Sequence, residues 1–138
     1  MKTHVTLAFS RSLALLVGII TLLSEVARRR QQMLDPAAVL LWIDDILLAA
    51  FLLYGAWRVA RDYQRGRPVL AAAWGFMCGM AFYSFFEQLQ HLAAPDPSDA
   101  APLWVVVVKG VALVLGIVGM VAALRASAEP GRVAAADY

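Results

Sequence analysis

The sequence predicts an all-α, four-helix transmembrane bundle with up-down-up-down topology, and three observations lead to this fold class. Hydrophobic residues make up 62% of the 138 residues and charged residues only 16%, well below the ~25% of an average soluble domain. The apolar residues are gathered in four runs that are each long enough to cross a bilayer. The connections between the runs are short, so consecutive helices are expected to pack antiparallel.

The four runs define a single predicted domain, 1–126, with helices over about 5–27, 37–60, 69–92 and 102–126. Each run exceeds the ~20 residues that cross the hydrocarbon core, and unpaired backbone groups are prohibitive in lipid, so each run should be helical. The first run ends in Ser24-Glu25-Val26-Ala27, a poor signal-peptidase site, and is expected to be retained. Residues 127–138 are small and polar and predict a disordered tail.

The distribution of Lys and Arg predicts that both termini face the cytoplasm. One side of the predicted bundle carries three basic residues, namely Arg28, Arg29 and Arg30. The opposite side carries seven, namely Lys2, Arg58, Arg61, Arg65, Arg67, Arg125 and Arg132. Because cytoplasmic loops are enriched in Lys and Arg, we expect an N-in, C-in protein of a bacterial inner membrane. The same bias accounts for the basic residues without a nucleic-acid partner.

Six ionisable residues inside the predicted spans form the candidate ion- or proton-binding site. They are Glu25, Asp44, Asp45, Glu87, His91 and Lys109. A charged side chain at the centre of a membrane helix costs roughly 2.5–3.5 kcal/mol on insertion scales, so each of them needs a reason. In the up-down-up-down topology all six fall in the outer half of the bilayer.

Helical spacing predicts the directions in which some of these side chains point. In the third run Tyr83, Ser84, Glu87 and His91 form a polar stripe. In the fourth run Lys109 shares a face with small residues, namely Ala112, Gly116, Gly119 and Ala123. Because small residues allow close helix approach, this face should point into the bundle. Lys109 is therefore the predicted charge partner of Glu87 or Asp44.

The excess of carboxylates over cations in this cluster suggests a chemistry. The negative charge must be relieved by protonation, by pairing with Arg28–Arg30, or by a bound cation. Carboxylates with one imidazole suit a divalent ion, which makes Glu87, His91 and Asp44 the candidate metal ligands. The cofactor is otherwise left open. No catalytic residue is assigned, because no nucleophile or oxyanion donor lies beside the acids.

Three functional hypotheses remain open. The first is a homo-oligomeric channel or carrier for a cation or protons, which uses the acidic cluster; assembly is needed because a single four-helix bundle has little volume for a pore. The second is a non-catalytic accessory subunit of a larger membrane complex, in which the buried charges are docking pairs. A metal-binding membrane enzyme is the third, and the sequence favours a non-enzymatic role over it.

Overall fold

The computed structural model describes residues 2–29, 43–91 and 102–125, all but two of which are helical. The four helices are α1 (Lys2–Arg29), α2 (Ile43–Arg61), α3 (Tyr63–Gln90) and α4 (Pro102–Arg125). The described residues contain no strand, and the predicted all-α, four-helix fold class is confirmed. Three of the helices, α1, α3 and α4, are long and apolar enough to cross a membrane.

The helices are arranged as a square in which consecutive helices are neighbours. α1 packs on α2 and α4, α3 packs on the same two helices, and α1 and α3 lie on a diagonal. Ser10 in the first half of α1 hydrogen bonds to Gly119 near the end of α4, so these helices are antiparallel. Lys109 near the start of α4 likewise bonds to Gln88 near the end of α3. The predicted up-down-up-down order follows from these contacts.

The antiparallel packing gives the bundle two chemically different ends. We call one the turn end; it holds the connection between α2 and α3, the start of α1 and the end of α4. We call the other the acidic end; it holds the end of α1, the start of the described part of α2, the end of α3 and the start of α4.

A single residue, Asp62, joins α2 to α3. Its carboxylate accepts hydrogen bonds from the backbone N–H groups of Gln64 and Arg65, at 3.0 and 3.1 Å, and so caps the start of α3. Its own N–H donates to the Arg58 carbonyl at 2.9 Å, which ends α2. Because Asp62 starts the helix early, α3 begins at Tyr63 and runs through Pro68, whereas the sequence places a loop there and a start near residue 69.

The other helix bounds lie close to those expected from the apolar runs. α1 extends the expected 5–27 by a few residues at each end, and α4 ends within one residue of the expected 102–126. The expected start of the second helix over 37–42, residue 92 and the 127–138 tail lie outside the described residues.

A buried polar network holds α1, α3 and α4 together. The Trp74 indole is fully buried, and its Nε1–H donates to the Ser10 hydroxyl oxygen at 3.0 Å. The Ser10 hydroxyl donates in turn to the Gly119 carbonyl at 2.8 Å. The side chains of Leu7, Leu52 and Leu70 are also fully buried, so the network belongs to a core that is otherwise apolar.

Candidate functional site

The six ionisable residues all lie at the acidic end, as the topology predicts, but they differ in burial. Glu25 is buried, with 4% of its surface exposed. Asp45 and Lys109 are half-buried, whereas Asp44, Glu87 and His91 are exposed. The candidate residues are therefore distributed between the inside and the outside of the bundle, with half of them on its outer surface.

Lys109 does not bind either of its predicted partners. Its ammonium group donates to the amide oxygen of Gln88 at 2.9 Å. Within the described chain it forms no ion pair with Glu87 or Asp44. Neighbouring helical residues point about 100° apart, so Gln88 can face α4 while Glu87 stays exposed. The prediction that the small-residue face of α4 points inward is nevertheless correct, since Gly116, Gly119 and Ala123 are buried.

His91 closes α3. Its backbone N–H reaches the carbonyls of Glu87 and Gln88, at 3.2 Å each. Its ring Nδ1 lies 2.9 Å from the Glu87 carbonyl oxygen. A carbonyl can only accept, so Nδ1 must carry the proton in this bond and Nε2 is the remaining ring nitrogen. The link between Glu87 and His91 thus runs through the backbone carbonyl.

Asp44 and Asp45 lie in the first turn of the described part of α2. The Asp44 carboxylate accepts from the Asp45 N–H at 3.0 Å. The expected depth of these acids depended on a helix that starts at residue 37, and residues 37–42 lie outside the described chain.

The structure does not bring the candidate metal ligands together. Across residues 2–29, 43–91 and 102–125, no three His, Cys, Asp or Glu side chains form a group that could hold a metal ion. Glu87 and His91 share a helix face, but Asp44 does not complete a site with them.

The length of α3 also moves Glu87 and His91 towards the membrane surface. α3 has 28 residues, or about 42 Å at 1.5 Å per residue, against ~30 Å of hydrocarbon core. A helix near the membrane normal therefore places about one turn at each end among the headgroups. Glu87 lies in the last turn of α3, where a charged side chain is accommodated more easily than at the centre.

Sequence reasoning missed the network of Ser10, Trp74 and Gly119. Trp57 and Trp104 lie near helix ends, where Trp is common in membrane proteins. Trp74 lies near the middle of α3, far from either headgroup region, where its N–H needs a protein acceptor. The serine that interrupts the first apolar run is that acceptor. A Trp near the middle of one apolar run together with a Ser inside another is the signal that identifies the pair.

The bond between Lys109 and Gln88 leads to a double-mutant prediction. Because Gln88 is neutral, we expect a coupling free energy for Lys109→Met and Gln88→Leu of ~0.6–1.7 kcal/mol, the range measured for hydrogen bonds between membrane helices. The same cycle with Glu87→Gln should give a coupling near zero. Unfolding in mixed detergent micelles measures both values. A larger coupling to Glu87 than to Gln88 would show that the lysine pairs with the acid.

The three long apolar helices and their exposed apolar faces are compatible with an integral membrane protein. No family model, curated protein or solved structure matches the chain.

Proposed function

We propose that this chain is a non-catalytic subunit of a membrane assembly, and that it binds a membrane-embedded partner through the exposed residues of α3 at the acidic end. The observation that carries the proposal is the position of the polar groups. Asp44, Glu87 and His91 are exposed on the outside of the bundle, where they can reach groups on another protein.

The interior of the bundle supports this role better than transport through one subunit. Among the described residues, the buried polar or charged side chains are Ser10 and Glu25. Ser10 is enclosed by Trp74 and Gly119 and uses its hydroxyl in two hydrogen bonds. A path for ions needs polar groups or water along its whole length. Apart from this network, the described core around Trp74 is apolar, so it offers no continuous polar path between the two ends.

The α3 surface has a composition suited to a protein partner. Tyr83 is 70% exposed. The neighbouring Phe82 and Phe86 are exposed as well, and their two ring centroids are 4.6 Å apart. Gly79, one turn earlier, has no atom within 4 Å of the position that a Cβ would occupy. Aromatic residues are enriched at protein interfaces, and glycine lets a second helix approach closely. The exposed face of α4, by contrast, is aliphatic over Val107, Val111, Val114 and Val118.

The proposed orientation is N-in and C-in in the inner membrane, which places the acidic end outside. The excess of Lys and Arg at the turn end supports it. Reporter fusions after Leu34, Gly66, Asp96 and Tyr138 should read outside, inside, outside and inside. A cytoplasmic signal after Leu34 would reverse the assignment.

A second candidate, a homo-oligomeric cation or proton channel, is favoured by one specific observation. Acids from three helices, Glu25 on α1, Asp44 and Asp45 on α2, and Glu87 on α3, share one end of the bundle. In such an oligomer the ion path would run between subunits, along the exposed α3 face. The acids at the acidic end would then form its mouth.

The two candidates are separated by mass and by flux. The chain is purified in mild detergent, and the mass of the particle is measured for the wild type, Tyr83→Leu and Glu87→Gln. The accessory-subunit proposal predicts a partner that co-purifies with the wild type. Both substitutions should lower the amount of co-purifying partner at least threefold. Val114→Leu on the aliphatic face of α4 is the control and should retain the partner.

Flux measurements on liposomes that contain the purified chain test the channel candidate. The accessory subunit should pass neither protons nor monovalent cations above the leak of empty liposomes. Flux that Glu87→Gln and Asp44→Asn reduce would establish the channel and overturn the accessory role. A monodisperse monomer that has no partner and no flux would contradict both.

A further inference from the structure

We propose that the arginines around the connection between α2 and α3 form a binding site for the phosphate of an anionic phospholipid headgroup. This site lies at the turn end, opposite the residues of the proposed partner surface, and does not depend on that function. It consists of Arg58, Arg61 and Arg65, with Trp57 beside them.

The charge at the turn end is strongly unbalanced. The described residues that end α2, start α3 and end α4 include five arginines, namely Arg58, Arg61, Arg65, Arg67 and Arg125. Asp62 is the acid among them, so the formal charge of the group is +4 (five minus one). Three of the arginines lie within four residues of Asp62, where their mutual repulsion favours an anion between them.

Asp62 is already engaged by other groups. One of its carboxylate oxygens accepts two backbone N–H bonds at the start of α3. The other lies 3.7 Å from the Arg65 Nε, a long contact to a side chain that is 82% exposed. One carboxylate in this position cannot neutralise three guanidinium groups, so the site retains positive charge.

Arg58 supplies a second, independent observation. Its Nε is buried and has no hydrogen-bond partner among the described residues. No described acid or acceptor therefore offsets this charge at Nε, and the part of the half-buried Arg58 side chain that is exposed can offer its terminal guanidinium nitrogens to a phosphate oxygen. The backbone of α3 at Gly66 lies directly against Arg58 and Val59, so the first turn of α3 keeps this region compact.

Aromatic residues place the site at the depth of the headgroups. Trp57 is 46% exposed and contacts Tyr54, at 5.7 Å between ring centroids. The Arg61 guanidinium lies over the Trp57 ring, 5.1 Å from its centroid. Exposed Trp and Tyr settle at the boundary between hydrocarbon and headgroups. Arg61 therefore lies just beyond that boundary, at the level of lipid phosphates rather than of soluble anions.

The test uses the full chain in nanodiscs of phosphatidylcholine with increasing amounts of dibrominated phosphatidylglycerol. Quenching of tryptophan fluorescence, compared with dibrominated phosphatidylcholine, gives the preference for the anionic lipid. The wild type should prefer phosphatidylglycerol at least fivefold. An arginine near an anionic surface raises the affinity for that surface roughly fivefold. The triple variant Arg58→Gln, Arg61→Gln and Arg65→Gln should therefore abolish the preference. The corresponding triple Lys variant keeps the charge and should keep most of the preference.

Arg11→Gln is the matched control, because it removes the same charge from exposed Arg11 on α1, the helix diagonal to α3. It should keep the preference within twofold. If the triple variant does not fold, Arg61→Gln alone decides, since Arg61 is exposed; it should lower the preference by at least half. Equal quenching by both lipids, a preference that survives the Gln substitutions, or an equal loss in Arg11→Gln overturns the site. Displacement of the lipid by inorganic phosphate at constant ionic strength overturns the lipid as its occupant.

Discussion

Replacing Gly119 with alanine is expected to lower the free energy of unfolding by about 2–6 kcal/mol. The new Cβ would overlap atoms of the Trp74 indole ring, which is fully buried and rigid. To make room the ring must shift and lose its bond to Ser10. Overpacking of a core commonly costs 1–3 kcal/mol, and a stranded buried donor adds ~1–3 kcal/mol. Unfolding in mixed micelles, followed by tryptophan fluorescence, measures the loss.

Two variants show whether the indole ring is the cause. Gly79→Ala makes the same change on α3, where nothing lies within 4 Å of the new atom. It should leave stability unchanged or raise it by up to ~1 kcal/mol, since alanine favours helices. Trp74→Phe removes Cζ2, one of the ring atoms that the new Cβ meets, and the indole N–H that would lose its acceptor, so adding it to Gly119→Ala should recover part of the loss. A Gly119→Ala protein as stable as the wild type would show that the helices can separate freely at this point.

The second large effect is expected at Gly66, where alanine should destabilise the bundle by about 3 kcal/mol. Its Cβ would overlap backbone atoms of Arg58 and Val59. Backbone atoms cannot rotate away as a side chain can, so α3 must move away from α2. Asp62 is the single residue between the two helices, so the connection is too short to allow that movement without distortion. Thermal unfolding of the purified protein, followed by circular dichroism, reports the change.

Gln64→Ala is the matched control for Gly66, because it alters an exposed residue in the same first turn of α3. It should stay within ~0.5 kcal/mol of the wild type, as surface substitutions usually do. If Gly66→Ala behaves like Gln64→Ala, then α2 and α3 are not in close contact at the turn end.

The sequence predicts the fold well because the length of an apolar run is enough to predict a membrane helix. Runs of more than twenty apolar residues have few alternatives in lipid, and short connections require antiparallel neighbours. The start of α3 was predicted too late because Pro68 is typical of the first turn of a helix, which places the start near residue 69, while the capping role of Asp62 depends on geometry. Single caps with a polar side chain are weaker signals than a proline.

The candidate site was predicted less completely, because the residues on one helix face do not show which residues of the adjacent helix they contact. The shared position of Glu25, Glu87 and Lys109 at one end follows from topology alone. The choice of Gln88 over Glu87 as the partner of Lys109 depends on the rotation of α3 about its axis, which a residue spacing does not reveal. The burial of Trp74 and Ser10 depends on three helices that meet at one depth.

The bond from Ser10 to Gly119 spans 109 positions of the chain, and this separation has a consequence for biosynthesis. Ser10 is on α1, whereas the acceptor for its hydroxyl is on α4, which is made after the other three described helices. Until α4 enters the membrane, the hydroxyl and the indole N–H of Trp74 lack the third member of their network. The native arrangement of α1, α2 and α3 can therefore be completed only after α4 has been translated and inserted beside them.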